Sequence, residues 1–193
     1  LLPKTIVHEL KKRKRKIIAD YFDSVTIVFT DMKGFTAYSS RISPIELVGF
    51  LNRMYNRFDI ITDRTNMYKV EIIGDAYYCV GGCPTPSTNH VIKGAETSLL
   101  MLTAIEDMKL EDPKLMEADM QIRIGVHTGP VIAAVVGVKD PRYHLFGDSV
   151  NYAMKMESNG VPGKVHCSES TCKAIRSYWA GKNAAITTFE VQD

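Results

Sequence analysis

Two aspartates and a glutamate carry the first chemical signal in this chain. Asp31 closes the β-branched and aromatic run "SVTIVFTD" (24–31), directly before "MKGFT". Asp75 follows Gly74 inside "YKVEIIGDAYYCVGG" (68–82), which alternates like two strands joined by a tight turn, and Glu71 lies on the near side of that turn. If the run 24–31 neighbours this hairpin, Asp31 and Asp75 project from the same end of a sheet. Paired carboxylates at strand ends are hard oxygen donors suited to Mg²⁺ or Mn²⁺. The glycine turn after Asp31 would present backbone N–H groups that open onto a helix, which favours phosphate. Metal carboxylates beside a phosphate cradle mean phosphoryl or nucleotidyl transfer. The same aspartates also read as turn residues that satisfy local backbone. Spacing alone leaves both readings open.

The elements around these residues follow from periodicity and punctuation. Residues 1–20 read as a helix after Pro3, with Ile6, Leu10 and Ile17 on one side and the basic block Lys11–Lys16 exposed. "SPIELVGFLNRMYNRFDIITDR" is a strong amphipathic helix, with Ser43 as N-cap, Pro44 in the first turn and Glu46 completing a capping box. Leu47, Phe50, Leu51, Met54, Phe58 and Ile61 form its apolar face. A second helix spans about 91–108, and "EDPKLMEAD" is a charged connector. "MQIRIGVHTG" is expected to enter a glycine turn as one strand and "PVIAAVVG" to leave it as another. "RYHLFGDSVNYAMKMESNG" reads as strand, turn and helix, and "KVHCSESTCKAI" as strand and capped helix. Strands come largely in antiparallel pairs with helices between them, which predicts an α+β fold with helices packed on a central, mostly antiparallel sheet.

Bulk properties exclude several classes. Hydrophobic residues at 45% and charged residues at 24% suit a packed soluble domain rather than a disordered one. A net charge of +2 is too mild to indicate a nucleic-acid partner. The four cysteines form no CxxC pair, so neither a zinc site nor a disulfide framework is expected, and they read as reduced intracellular thiols. No apolar run reaches membrane-spanning length, so no membrane insertion is expected. The chain begins at Leu1 rather than Met and reads as part of a longer protein whose anchor or sensor lies elsewhere.

Five segments taken together, "VTIVFTDMKGFT", "YKVEIIGDAY", "IRIGVHTGPV", "RYHLFGDSVN" and "MESNG", in this order, resemble the catalytic domain of class III nucleotide cyclases, and in detail the eukaryotic guanylyl cyclases. The resemblance runs from Leu1 to about residue 175. It implies a palm-like (ferredoxin-like) α+β domain over residues 21–193, truncated at its C-terminal end, with residues 1–20 as the end of a signalling linker. It implies a head-to-tail dimer, a homodimer or a heterodimer with a paralogous cyclase domain, with active sites at the interface. One subunit would bring Asp31 and Asp75 for two Mg²⁺ or Mn²⁺ ions, the Met32 carbonyl for one of them, and the backbone of Gly34, Phe35 and Thr36 for the β- and γ-phosphates. The other would bring Glu71 and His144 for the base, Asn151 for the ribose region, and Lys155 for the phosphates, and Lys164 matches a basic phosphate-contacting position. The implied reaction is in-line attack of the ribose 3′-hydroxyl on the α-phosphorus, giving a cyclic 3′,5′-monophosphate and pyrophosphate. Asp31 is a candidate proton relay. The implied setting is a cytoplasmic domain of a membrane-anchored or sensor-linked protein.

Base choice can be read from donor and acceptor patterns. Ionised Glu71 is acceptor-only and can take both guanine donors, N1–H and N2–H₂. Against adenine N1 it meets an acceptor, and the unpaired carboxylate costs about 1–3 kcal/mol. GTP is therefore the expected substrate. His144 stands where guanylyl cyclases usually have Cys and adenylyl cyclases Asp. Its N–H can donate to guanine O6, or the ring can point away and stack on the sheet. An adenylyl or dual-specificity cyclase and a silent dimerisation partner are the alternatives. Lys155 replaces the family's usual arginine and keeps the charge without the bidentate fork. The chain also ends before the family's late "KGKG"-like loop. Both departures imply a slow enzyme that favours Mn²⁺.

Overall fold

β1 (Ala19–Lys33) runs through the middle of a six-stranded sheet. On one side it pairs antiparallel with β3 (Ala76–Gly81), which pairs with β2 (Tyr68–Ile73). On the other side it pairs antiparallel with β4 (Gln121–Val136), which carries β5 (Arg142–Phe146) near its end and the short parallel β6 (Val165–Cys167) near its start. The helices are α1 (Phe35–Ser39), α2 (Pro44–Thr65), α3 (His90–Glu111), α4 (Pro113–Glu117), α5 (Asp148–Ser158) and α6 (Glu169–Ala180). This α+β sheet with flanking helices matches the expected fold class. The computed structural model describes residues 2–3, 6–8, 19–137 and 139–181. The basic block Lys11–Lys16 and the "TTFEVQD" end lie outside the described residues, as does most of the expected N-terminal helix. No helix among the described residues is long and apolar enough to cross a membrane.

The core has two layers, one on each face of the sheet. On the first face Phe50, Met54 and Phe58 of α2 and Met101, Ile105 and Met108 of α3 close over Val28, Cys79, Ile122 and Val126. Each of these large side chains contributes about 2 kcal/mol by burial. The capping box at the start of α2 forms as expected: the Glu46 N–H donates to Ser43 Oγ at 3.3 Å, and the Ser43 N–H donates to Glu46 Oε2 at 2.9 Å. On the second face Ile27, Phe29, Tyr78, Val80 and Val131 pack with Ala153 of α5 and with Ile6. α5 lies unusually close to the sheet. A Cβ on Gly125 would stand 2.1 Å from the Glu157 backbone nitrogen and 2.5 Å from the Ala153 carbonyl, so only glycine permits this contact.

Three local expectations change. The charged connector holds α4, capped by Asp112 and pinned by Leu115, which is 1% exposed. The turn after Asp31 continues into the short helix α1. The two strands expected around Gly129–Pro130 are one continuous strand, β4. The register explains this: Phe22 faces Val131 and Val25 faces Gly129, so Asp23 and Ser24 bulge opposite Pro130. A proline without an N–H loses no ladder bond at a bulge.

A buried polar row fastens the layers. The His90 ring Nδ1 lies 2.8 Å from Thr26 Oγ1, Thr26 Oγ1 lies 3.0 Å from Thr128 Oγ1, and Thr171 Oγ1 donates to Thr128 Oγ1 at 3.1 Å. These hydroxyls join α3, β1, β4 and α6. Burial lowers the pKa of His90.

Two outcomes follow from this packing. Gly125→Ala forces α5 off the sheet and should cost about 3 kcal/mol in urea unfolding. Because His90 binds its proton less readily folded than unfolded, its contribution is full above the unfolded value of about 6.5 and is lost as pH falls below it. Urea unfolding across that range should show wild-type stability declining with acid, and His90→Asn should flatten the decline; an unchanged slope would exclude His90 as its source.

Candidate active site

The pairing of β1 with β3 ends at Thr30 opposite Tyr77. Asp31 is the next residue on β1, and Asp75 sits in the turn just ahead of β3, so the two carboxylates meet at one end of the sheet. The Asp75 carboxyl lies close enough to Asp31 to feel its charge. Burial and the Asp31 charge push the Asp75 carboxyl above its ordinary value, while backbone N–H groups, including that of Met32, act in the opposite sense. The Tyr55 hydroxyl donates to the Gly74 carbonyl and braces the turn. Arg123, the β4 residue paired with Asp31, donates from Nη2 to Asp31 Oδ2 at 2.6 Å and from Nε to Glu157 Oε1 at 2.9 Å. It ties the end of α5 to the aspartate.

Directly after Asp31 and Met32 the chain turns at Gly34, with φ +86, a conformation that glycine adopts without strain. Phe35 and Thr36 begin α1, so their backbone N–H groups lie at a helix start beside Asp31. The loop carrying Lys164 is fixed to the same end of β4, where the Gly163 N–H donates to the Ile122 carbonyl at 2.8 Å. Ile122 is the partner of Met32 across the sheet.

Glu71 belongs elsewhere, and a backbone irregularity sends it there. Lys69 faces Cys79 and Glu71 faces Tyr78, so Val70 is an extra residue in β2. Lys69 points to the first face, where its Nζ donates to Asp59 of α2 at 2.7 Å. Regular alternation would put Glu71 on that face too. The bulge turns it to the second face, with Tyr78. There a cavity of about 610 Å³ lies between the edge strands β2 and β5, and both Glu71 and His144 line it. Tyr68 and Tyr143 close the gap between the edges with rings 5.8 Å apart, edge to face. Arg142 Nη1 donates to Glu71 Oε1 at 3.4 Å. Glu71 and His144 are thus brought together, as are Asp31 and Asp75, in two separate places.

Asn151 and Lys155 are exposed on α5, one turn apart, and neither lines that cavity. Lys155 Nζ lies 5.6 Å over the Tyr152 ring, and Tyr152 stacks on His127 at 5.2 Å.

Comparison with known proteins decides the family. The family model for the adenylate and guanylate cyclase catalytic domain matches residues 17–190. The chain belongs to that family. It is 45% identical over 177 residues to the human guanylate cyclase soluble subunit beta-2, covering 92% of this chain and 28% of that protein. It is 45% identical over 176 residues to the human atrial natriuretic peptide receptor 2, covering 91% of this chain and 16% of that one. The chain therefore spans well under a third of the curated relatives it matches. Among solved structures, the dimeric guanylyl cyclase domain of the RhoGC fusion protein from Blastocladiella emersonii superposes with a TM-score of 0.75 at 37% identity, covering 82% of this chain and 86% of that one. The guanylate cyclase domain of RhGC from Catenaria anguillulae, solved in complex with GTP, gives 0.74 at 37% identity, covering 81% and 84%.

This cyclase-family domain has site neighbours that sequence reading missed: Arg123, Glu157 and Arg142. Their signal was present, since a charged residue inside an apolar strand asks for a partner, and Arg142 stands two residues before His144 on the same side of β5. Among the described residues no cluster of three or more His, Cys, Asp or Glu forms a metal cage. The residues still fit a divalent ion. Two oxygen-donor carboxylates converge beside Arg123, and phosphate oxygens of a nucleotide would add further hard donors. Arg123→Met leaves Asp31 and Glu157 without their cation and should destabilise the domain by about 2 kcal/mol in chemical unfolding, with Glu157→Gln costing less. A loss below about 0.5 kcal/mol would mark the network as solvated surface charge.

Proposed function

We propose that this chain is the catalytic domain of a guanylyl cyclase, converting GTP to 3′,5′-cyclic GMP and pyrophosphate. The observation that carries this reading is the placement of Glu71, turned by the β2 bulge into the same cavity as His144 in a cyclase-family domain. An acceptor-only carboxylate takes the guanine N1–H and N2–H₂, and the Arg142 guanidinium fixes its position from the side. The His144 N–H donates to O6. Adenine would leave Glu71 unpaired.

Asp31 and Asp75, with the Met32 carbonyl, would hold two Mg²⁺ or Mn²⁺ ions. Divalent ions, which domains of this family generally use, supply charge neutralisation on the triphosphate and acidify the attacking hydroxyl. The backbone N–H groups of Gly34, Phe35 and Thr36 receive the β- and γ-phosphates at the start of α1. Asn151 orients the ribose so that its 3′-oxygen stands in line with the leaving pyrophosphate. Lys155 and Lys164 place positive charge against the phosphates as negative charge shifts to the leaving group. Asp31 takes the hydroxyl proton. Tyr152 restrains the Lys155 ammonium, which partly compensates for the missing guanidinium fork.

The aspartates and the Glu71–His144 cavity lie apart within one chain, which supports a dimer in which each site draws on two subunits. Tyr21, Ile132, Val136 and Phe146 are 65%, 47%, 48% and 47% exposed on the β1–β4–β5 arm, an apolar surface suited to a second cyclase domain. The identical or paralogous partner makes this a homodimer or a heterodimer. We assign residues 21–193 to the catalytic domain and 1–20 to the linker that delivers a signal. We assign the domain to the cytoplasmic part of a membrane-anchored or sensor-linked protein, in keeping with a relative named as a receptor.

The test offers the domain GTP and ATP separately with Mn²⁺ and separates the products. Cyclic GMP should dominate by about tenfold. Glu71→Lys with His144→Asp should move the preference toward ATP, in keeping with a solved rhodopsin-guanylyl cyclase core of converted specificity that holds ATPαS. An unchanged preference in the double variant would overturn the base-reading assignment.

A further inference from the structure

The four cysteines fall into two kinds. Cys79 and Cys83 are buried in the core, and burial raises both thiols, Cys83 to about 11. Such thiols are inert. Cys167 and Cys172 differ. Cys167 ends β6, and Ser168 caps α6 through its Oγ, which accepts the Thr171 N–H at 3.4 Å. The Cys172 N–H donates to the Ser168 carbonyl at 3.0 Å. This tight strand–cap–helix corner brings Cys172, at the end of the first helical turn, back toward Cys167, and the two thiols interact.

Their surroundings are those of a reactive pair. Both line a cavity of about 590 Å³ with His166, Lys173 and Arg176, and both are partly exposed. His166 donates its Nδ1–H to the Met156 carbonyl at 2.8 Å, which fixes the ring. The interaction with Cys167, with Arg176 and His166 nearby, pulls Cys172 down to about 6 against the opposing effect of burial. Cys167 is raised by the same interaction and by its burial. The pair thus favours thiolate character on Cys172 and keeps the proton on Cys167.

We propose that Cys167 and Cys172 are a reversible dithiol–disulfide pair, with Cys172 as the attacking sulfur and a small disulfide of the glutathione class as the oxidant admitted by the cavity. The Cys172 thiolate attacks one sulfur of the small disulfide, whose S–S bond breaks, and one thiolate leaves and takes a proton. Cys167 then loses its proton and attacks the Cys172 sulfur of the mixed disulfide, releasing the second small thiol. Two protein thiols become one disulfide while one small disulfide becomes two thiols, so electrons and protons balance. The corner that folds α6 back on β6 sets both cysteines on the wall of one cavity, as a bond between them requires. The cavity also holds Tyr152, whose ring lies under Lys155, so the modified corner backs onto the exposed face of α5.

The test incubates the chain in glutathione buffers of falling reduced-to-oxidised ratio, quenches in acid, alkylates under denaturing conditions, and maps tryptic peptides by mass. Lys164 and Lys173 put both cysteines into the single peptide 165–173. That peptide should become two hydrogens lighter and resistant to alkylation in oxidised buffer, and should return to two alkylated thiols in reduced buffer. Cys79 and Cys83 should remain thiols throughout. Cys167→Ser should trap glutathione on Cys172, and Cys172→Ser should leave Cys167 unmodified. In the native chain Cys172 should alkylate about tenfold faster than Cys83. Urea midpoints near wild type check that both variants fold. Full alkylation of 165–173 in excess oxidised glutathione would overturn the proposal. So would a wild-type chain that stops at the mixed disulfide, or one that links to a second chain.

Discussion

The pairing of β1 with β4 is the constraint on which the site depends. One end of the pair sets Asp31 against Arg123, and through Arg123 it reaches Glu157 on α5. The middle sets Thr26 against Thr128 and seals the polar row to His90 and Thr171. The far end, past the Asp23–Ser24 bulge, carries the arm on which β5 presents His144. A shift of one residue in this register would exchange the two faces of β1. Asp31 would turn from Arg123 toward the α2 layer, and Thr26 would lose its polar partners. The bulge opposite Pro130 absorbs the one position that cannot join the ladder.

The β2–β3 hairpin divides its labour along its length. Its turn presents Asp75, held at Gly74 by Tyr55, next to the end of β1. Its β2 strand presents Lys69 to α2 and Glu71 to the cleft opposite β5. Three charged groups within a short stretch therefore face three surroundings: Lys69 pairs with Asp59, Glu71 pairs with Arg142, and Asp75 stands beside the like-charged Asp31. Separation of this kind keeps Glu71 and Asp75 of one hairpin from crowding one another.

Much of this was legible in the sequence, because it rests on local rules. The strand that carries Asp31, the capping box of α2, the glycine turn before Asp75 and the cap of α6 are short-range patterns with few competing readings, although the strand runs on to Lys33. The class of the fold followed from their order. Other features required the third dimension. Proline in β4 reads locally as a break, and only the bulge on its neighbour allows the strand to continue. The contact of α5 with Gly125 needs the backbone itself to be in place. Arg123 and Arg142 signal the need for a partner, but only the sheet shows that the partners are Asp31 and Glu71. The thiol pair is hidden by its spacing, which matches no simple motif and closes only through the Ser168 corner.

The extra residue in β2 carries a lesson about counting. Which side chain faces the cleft is set there by the number of residues between Lys69 and Glu71, not by their identities alone. A relative that kept the same letters but paired them without the bulge would turn the lysine and the glutamate to one face of the sheet. For chains of this kind, transfer of a specificity code by aligned position is sound only where the strand's backbone parity has been matched first.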